Sequence, residues 1–218
     1  MRSLSLAALL VAALTFTLPA QQRPKKKDTT PAPAPAPVEL KFDKTLGSAK
    51  APITIAIYTD FECPACGVLY KRTIRRLIQE YVWANKVHLV HHDYPLPMHK
   101  YSRDAARWAV AASTFGKYEA VADALFEEQS TLTATGAVEA LASKALSADE
   151  VKKIKQILEK QGNQVDADIE RDIFKARTSQ VTQTPTMFVR HKDKTYPVVG
   201  VVQFQVLKAT LDDLLSRK

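Results

Sequence analysis

Apolar positions change their rhythm several times along the chain. From Leu4 to Leu18 they run almost unbroken, softened only by Ser5, Thr15 and Thr17. Residues 21–37, QQRPKKKDTTPAPAPAP, carry nothing apolar beyond alanine and proline. Ile53, Ile55 and Ile57 then alternate with Thr54 and Ala56 and lead into Tyr58, a β-branched, nearly all-apolar run suited to a central strand. The run stops at Thr59-Asp60. Past Cys63-Pro64-Ala65-Cys66, the residues Val68, Leu69, Ile74, Leu77 and Ile78 recur at helical spacing. Pro64 suits the first turn of that helix, where its missing N–H would be unpaired anyway. The helix is expected to end near Trp83-Ala84-Asn85, and Val87–His92 predicts a second strand that Tyr94-Pro95-Leu96-Pro97 breaks.

Residues 102–178 show no strand signal of any length. Trp108, Val110 and Ala111 precede Phe115-Gly116, and Tyr118, Val121, Leu125 and Phe126 again recur at helical spacing. Ser147-Ala148-Asp149-Glu150 reads as a capping box, opening a helix whose Val151, Ile154, Ile157 and Leu158 share a face. Gly162-Asn163 is expected to close that helix, with Val165, Ile169 and Ile173 carrying the next. Thr186–Arg190 and Tyr196–Val202 predict an antiparallel strand pair across Lys192-Asp193-Lys194. Phe204, Leu207, Leu211, Leu214 and Leu215 mark a closing helix, and no internal repeat is visible.

The chain has 218 residues, 46% of them hydrophobic and 25% charged, which is enough for one domain with a real core. Collagen, coiled coil and wholesale disorder are excluded. The net charge of +8 is uneven: residues 21–37 hold +3 and Arg2 adds one, leaving only about +4 from Val38 onward. Nucleic-acid binding is therefore not expected. Met1-Arg2, the apolar run and Ala20 fit a secretory leader over residues 1–20. Leu18 departs from the small residue preferred there, and Arg23–Lys27 lies on the exported side, against the usual bias. An uncleaved anchor is the alternative, and both place the rest outside the cytoplasm, in a periplasmic or similar compartment. Six of twelve prolines lie within residues 1–37, so residues 21–37 read as a semi-rigid polyproline tether, with the domain occupying 38–218.

Two cysteines exclude a disulfide-scaffold miniprotein. Cys63 and Cys66 stand where a strand hands over to a helix, so unpaired N–H groups and the helix dipole favour an anion there. Such a position lowers a thiol pKa from about 8.5 to roughly 3.5–7.5. Cys63, at the mouth, is expected to be the exposed and reactive sulfur, with Cys66 shielded as its resolving partner. A structural disulfide would close too small a loop to restrain the unfolded chain much. A metal site would need two more ligands from His88, His91, His92, His99 or His191, in no recognisable spacing. His91 and His92 point to opposite faces of a strand and are read as one half-buried and one exposed histidine. No metal and no organic cofactor are expected.

Three segments in the same order resemble the DsbA-like thioredoxin-fold family. Ala51-Pro52-Ile53-Thr54-Ile55 leading to Asp60-Phe61-Glu62-Cys63-Pro64-Ala65-Cys66 is similar to its opening strand and active-site motif. Tyr94-Pro95-Leu96-Pro97-Met98-His99, with Ala105, Ala106 and Ala109, resembles the entry to its helical insert. Thr184-Pro185-Thr186-Met187-Phe188 resembles its cis-proline loop, followed by Val199-Gly200 and a last helix. The resemblance implies an α/β thioredoxin fold over about 38–218, with an all-helical insert at about 102–178 between its βαβ and ββα halves. It makes Cys63 the nucleophile, Cys66 its buried partner, Pro64 and Ala65 the dipeptide that tunes the thiolate, and Pro185 the cis-proline beside the disulfide. Proline offers no N–H to crowd the sulfurs, and the Thr184 backbone would pair with an extended substrate by strand addition.

The implied activity is that of a protein-disulfide oxidoreductase acting on unfolded exported proteins with free thiols. It would run as a monomer and be reoxidised by a quinone-linked membrane partner. Ala65 stands where strongly oxidising members often carry histidine, and Glu62 would disfavour the thiolate if it pointed inward, so a milder oxidant is expected. Asp60 is either a buried proton acceptor for Cys66 or an exposed strand-end carboxylate. Three other readings stay open: an isomerase or reductant, a redox-inert peptide-binding chaperone, and a copper-handling protein using Cys63, Cys66 and a histidine.

Overall fold

The computed structural model describes residues 39–217, so the leader and the tether expected over 1–37 lie outside the described residues. The chain enters as a two-residue strand β1 (Thr45–Leu46) and continues into β2 (Ile53–Thr59), helix α1 (64–82) and β3 (Val87–Asp93). α1 is α-helical at Pro64–Leu69 and Arg75–Leu77 and opens into wider π-type turns at Tyr70–Ile74 and Ile78–Val82. The insert follows as α2 (Ser102–Ser113), α3 (Tyr118–Glu127), α4 (Gln129–Thr135), α5 (Val138–Ala142), a single 3-10 turn (Ser143–Ala145) and the long α6 (Ala148–Thr178). β4 (Thr186–His191), β5 (Lys194–Val199) and α7 (Phe204–Ser216) complete the fold.

The sheet order is β1-β3-β2-β4-β5. β2 and β3 run parallel, paired from Ile53 with Val87 to Thr59 with Asp93, and every other pairing is antiparallel. A parallel pair needs a crossover, and α1 supplies it. β2 is central, and its Ile53, Ile55 and Ile57 are wholly buried. Each such side chain contributes about 1.5–3 kcal/mol on leaving water. A continuous apolar core runs from these strands into the insert through Leu89, Ala109, Leu125 and Ile169. This is the α/β thioredoxin fold with an all-helical insert between its βαβ and ββα halves.

Three local expectations are corrected, and one strand is unexpected. The capping box forms, Ser147 Oγ accepting from Glu150 N–H and the Glu150 carboxyl from Ser147 N–H, but Gly162 does not end the helix it opens. α6 bends at Gln161 and continues to Thr178. A Cβ at Gly162 would lie 2.9 Å from Arg107 Nη2, the movable end of a long side chain. β5 is displaced toward the turn and stops at Val199, because Gly200 takes a φ of 80° and donates its N–H to Pro185 O at 2.8 Å. Both His91 and His92 are buried, at 3% and 8% exposure, since β3 is an interior strand covered on both faces. β1 is too short to register as a period in sequence.

Charges are buried behind the end of β3. Lys44 Nζ lies 3.1 Å from Asp93 and 2.6 Å from Asp168 and also contacts Asp172, joining β1, β3 and α6. Asp172 holds His92 Nδ1 at 2.7 Å and accepts Asp93 N–H at 3.1 Å, while Tyr118 Oη donates to Asp93 at 2.8 Å. On the opposite face His91 pairs with Glu119 at 3.0 Å, and Glu119 also accepts from Tyr70. Thus the strand end that leads to residues 94–99 is tied down on both sides.

Candidate active site

β2 ends at Thr59, and the next four residues form the turn that delivers Cys63 to the start of α1. Asp60 organises that turn. It is 1% exposed, and its Oδ1 accepts the N–H groups of Glu62 at 2.8 Å and Cys63 at 3.2 Å. Its Oδ2 accepts Leu96 N–H at 2.6 Å and meets His99 Nδ1 at 2.8 Å. Asp60 is buried, not an exposed strand-end carboxylate, but its carboxyl oxygens are spent on backbone amides and His99 rather than on Cys66, binding the cysteine turn to the 94–99 loop. Glu62 is buried as well, and its carboxyl accepts Tyr101 N–H at the entrance of α2. It is turned to that amide and is not among the main causes of the Cys63 shift.

Cys63 is the N-cap of α1, with φ −66° and ψ 116°, and Pro64 follows in the first turn. Both cysteines are free thiols in the structure. Cys63 is 7% exposed and Cys66 0%, so the order of access is the expected one although Cys63 is itself largely covered. The cover is the loop carrying Thr184 and Pro185: the Cys63 thiol donates to Thr184 O at 3.4 Å, and the Thr184–Pro185 peptide is cis. Thr184 and Pro185 are buried, Ala65 half-buried, and Pro64 exposed. The six residues singled out in the sequence thus come together.

The two sulfurs have opposite electrostatics. The Cys63 pKa falls from 9.0 to about 5, chiefly because the Cys66 side chain hydrogen-bonds to it. Burial opposes this, the Thr184 side chain assists, and the amides of Cys66 and Ala65 add smaller contributions without the geometry of a side-chain cap. Cys66 moves the other way. Burial pushes its thiol well above 9.0, reinforced by its bond to Cys63 and by the Cys63 charge. The Thr184 hydroxyl is buried, lowers both thiols, and makes no hydrogen bond to any other group among the described residues. A dithiol so arranged holds one thiolate and one proton near neutral pH, the condition for thiol–disulfide exchange.

Sequence reasoning missed Gln129. From the first turn of α4 its Nε2 donates to Phe61 O at 2.8 Å and Cys63 O at 2.9 Å. Its amide lies over Gly67, where a Cβ would come 2.2 Å from Gln129 Oε1. The insert therefore grips the cysteine turn from outside. Only the glycine directly after Cys66 hinted that something approaches there. Among the described residues no cluster of His, Cys, Asp and Glu could hold a metal ion.

A family model described as thioredoxin matches residues 40–212. Among solved structures, alpha-DsbA1 of Wolbachia pipientis is 21% identical with a TM-score of 0.63, over 84% of this chain and 92% of that one, a likeness of fold alone. DsbA2 of Pseudomonas aeruginosa is 27% identical with a TM-score of 0.55, over 80% and 94%. A curated relative, Na(+)/H(+) antiporter NhaA 3 of Salinispora tropica, is 30% identical over 148 residues, which are 67% of this chain and 21% of the relative. The chain spans about a fifth of the length of the curated relatives it matches. With a cysteine pair capping the first helix, a cis-proline against it and an all-helical insert behind it, the chain belongs to the thioredoxin family as a DsbA-like member.

Proposed function

We propose that this protein is an extracytoplasmic protein-disulfide oxidoreductase that oxidises thiols of newly exported proteins. The observation that carries the reading is the split between the two sulfurs, Cys63 lowered to about 5 and Cys66 raised well above 9.0. In the oxidised form a substrate thiolate attacks Cys63 Sγ, the more accessible sulfur. The Cys63–Cys66 bond breaks and Cys66 leaves, taking up a proton. A second substrate thiolate then attacks the substrate sulfur of the mixed disulfide, and Cys63 leaves as a thiolate. Two electrons pass from the substrate to the cysteine pair. At pH 7 a thiol of pKa about 5 is about 99% ionised, so Cys63 is a good leaving group and its disulfide an oxidising one.

Pro64 and Ala65 tune the thiolate, and the Thr184 backbone and Pro185 form the wall along which an extended substrate lies. Ala65 offers no side-chain donor, and about 5 lies inside the roughly 3.5–7.5 range of such thiols rather than at its lower end. The oxidant is accordingly a mild one. The apolar leader supports placement outside the cytoplasm, and family resemblance supports monomeric action and reoxidation by a quinone-linked membrane partner. Titrating the protein against glutathione fixes the direction of electron flow. A reducing potential makes it a reductant or isomerase, and equal peptide oxidation by wild type and Cys63→Ala ends the enzymatic reading.

A further inference from the structure

A concavity opens beside the redox turn. It encloses about 390 Å³ between the 94–99 loop and α6, with Pro95, Leu96, His99, Arg103, Ile173 and Arg177 among its walls. Its loop wall is joined to the cysteines, because Leu96 N–H and His99 Nδ1 bond Asp60 Oδ2 while Asp60 Oδ1 accepts Cys63 N–H. Two hydrogen bonds and one carboxyl group separate the His99 ring from the Cys63 backbone, under about 9 Å. Met98 and Phe174, chain neighbours of these walls, are 75% and 67% exposed. Exposed apolar side chains adjoining a cleft are available to cover the apolar part of a bound peptide.

The charge in the cleft is unbalanced. Glu170 is committed to Arg103 at 2.7 Å, and Arg103 also reaches Asp166 at 3.3 Å. His99 is held by Asp60, and Lys175 on the same helix faces Asp172 at 3.6 Å. Arg177 has no side-chain hydrogen bond or ion pair among the described residues. The cleft thus presents, at an exposed position, one guanidinium that no carboxylate among the described residues neutralises.

We infer that this cleft is a subsite for an acidic side chain on the thiol-bearing peptide, seated by Arg177 with its apolar neighbours against Met98 and Phe174. The inference rests on the thiol-exchange reading and adds a substrate preference to it. An extended chain advances about 3.3 Å per residue, so a side chain about two to four residues from the reacting cysteine reaches the cleft.

The test uses the oxidised full chain and single-cysteine peptides carrying Glu or Lys about two to four residues to either side of the cysteine. Mixed-disulfide formation is followed by quenching and mass analysis. Glu peptides are expected to react about two- to fivefold faster than Lys peptides at low salt, the size of an exposed ion pair. The ratio should shrink at high salt. Arg177→Glu should invert it, while Lys160→Glu, the same charge change far along α6, should preserve it. A ratio of one in wild type, or one that Arg177→Glu leaves unchanged, overturns the subsite. A ratio that Lys160→Glu lowers equally does so too, by tracing the preference to net charge. If every peptide exchanges at one rate, the subsite fails and the exchange reading stands. If none exchanges, both fall.

Discussion

Removing the Cys66 thiol tests the electrostatics of the site most directly. Its hydrogen bond is the largest cause of the lowered Cys63 pKa. A hydrogen bond to a charged group contributes about 1.5–3 kcal/mol, and 1.36 kcal/mol corresponds to one pKa unit. Cys66→Ala should therefore raise the Cys63 midpoint from about 5 by roughly one to two units. Around pH 6 the ionised fraction would fall from about 90% to between roughly 10% and 50%. The assay is ultraviolet thiolate absorbance against pH on the reduced protein, checked by the pH profile of alkylation at Cys63. Because Cys66 titrates far above Cys63, the wild-type curve resolves the first step cleanly, although the two sites are coupled. An unchanged midpoint in Cys66→Ala would refute the reasoning and transfer the effect to the helix amides.

The other predictions follow from neighbouring contacts. Thr184→Val removes a hydroxyl that lowers both thiols, and should raise the Cys63 midpoint by up to about one unit; titration showing no rise would assign the whole effect to Cys66 and the helix. Gln129→Ala takes two hydrogen bonds from the cysteine turn and should cost about 1–3 kcal/mol in denaturant unfolding. Gly67→Ala displaces the same amide, so the double variant should fall short of additivity, and full additivity would count against one shared clamp. Lys44→Met leaves Asp93 without a cation and takes one from Asp168 and Asp172, which keep Arg171 and Lys175, and should cost about 3–5 kcal/mol. That loss should ease as pH falls, because burial raises the Asp93 pKa and protonation removes its charge; a pH-independent loss would contradict this. Finally, the Cys63 pKa is depressed on folding, so its stabilisation of the reduced protein exists in full above the unfolded thiol pKa and is lost as pH falls through about 5. Relative to Cys63→Ala, reduced wild type should lose about 3 kcal/mol of stability between pH 7 and pH 4, and a flat difference in melting would argue against a folded-state thiolate.

What the chain discloses in sequence is whatever repeats locally. Alternating isoleucines announced β2, helical spacing announced the insert, and the cysteine pair after a strand announced the site. Most of the failures share one cause, since they depend on partners distant in sequence. Gly162 looks like a helix stop, yet α6 bends at Gln161 and continues through it, and the role of Asp60 stays open between two readings until residues 96 and 99 fold back onto it. His91 and His92 point to opposite faces, as strand alternation requires, yet their burial follows from Glu119 and Asp172, acids supplied by the insert. Gln129, 66 residues from Cys63, has no periodicity to betray it.

Those distant contacts decide how the site works as well as where it sits. Lys44 and its three aspartates fix the end of β3, the 94–99 loop continues from that end, and Asp60 joins the loop to the amide of Cys63. From the other side Gln129 holds the carbonyls of the same turn. The sulfur is thereby placed so that Cys66 and Thr184 can reach it without rearrangement, and preorganised donors are worth more than donors that must be recruited. Exchange requires first that Cys66 leave and then that Cys63 leave, two steps with opposite demands on which sulfur keeps the proton. In the proposed exchange the Thr184 hydroxyl, which lowers both thiols, would favour each sulfur as it leaves. Thr184 thus links the cover of the site to its chemistry.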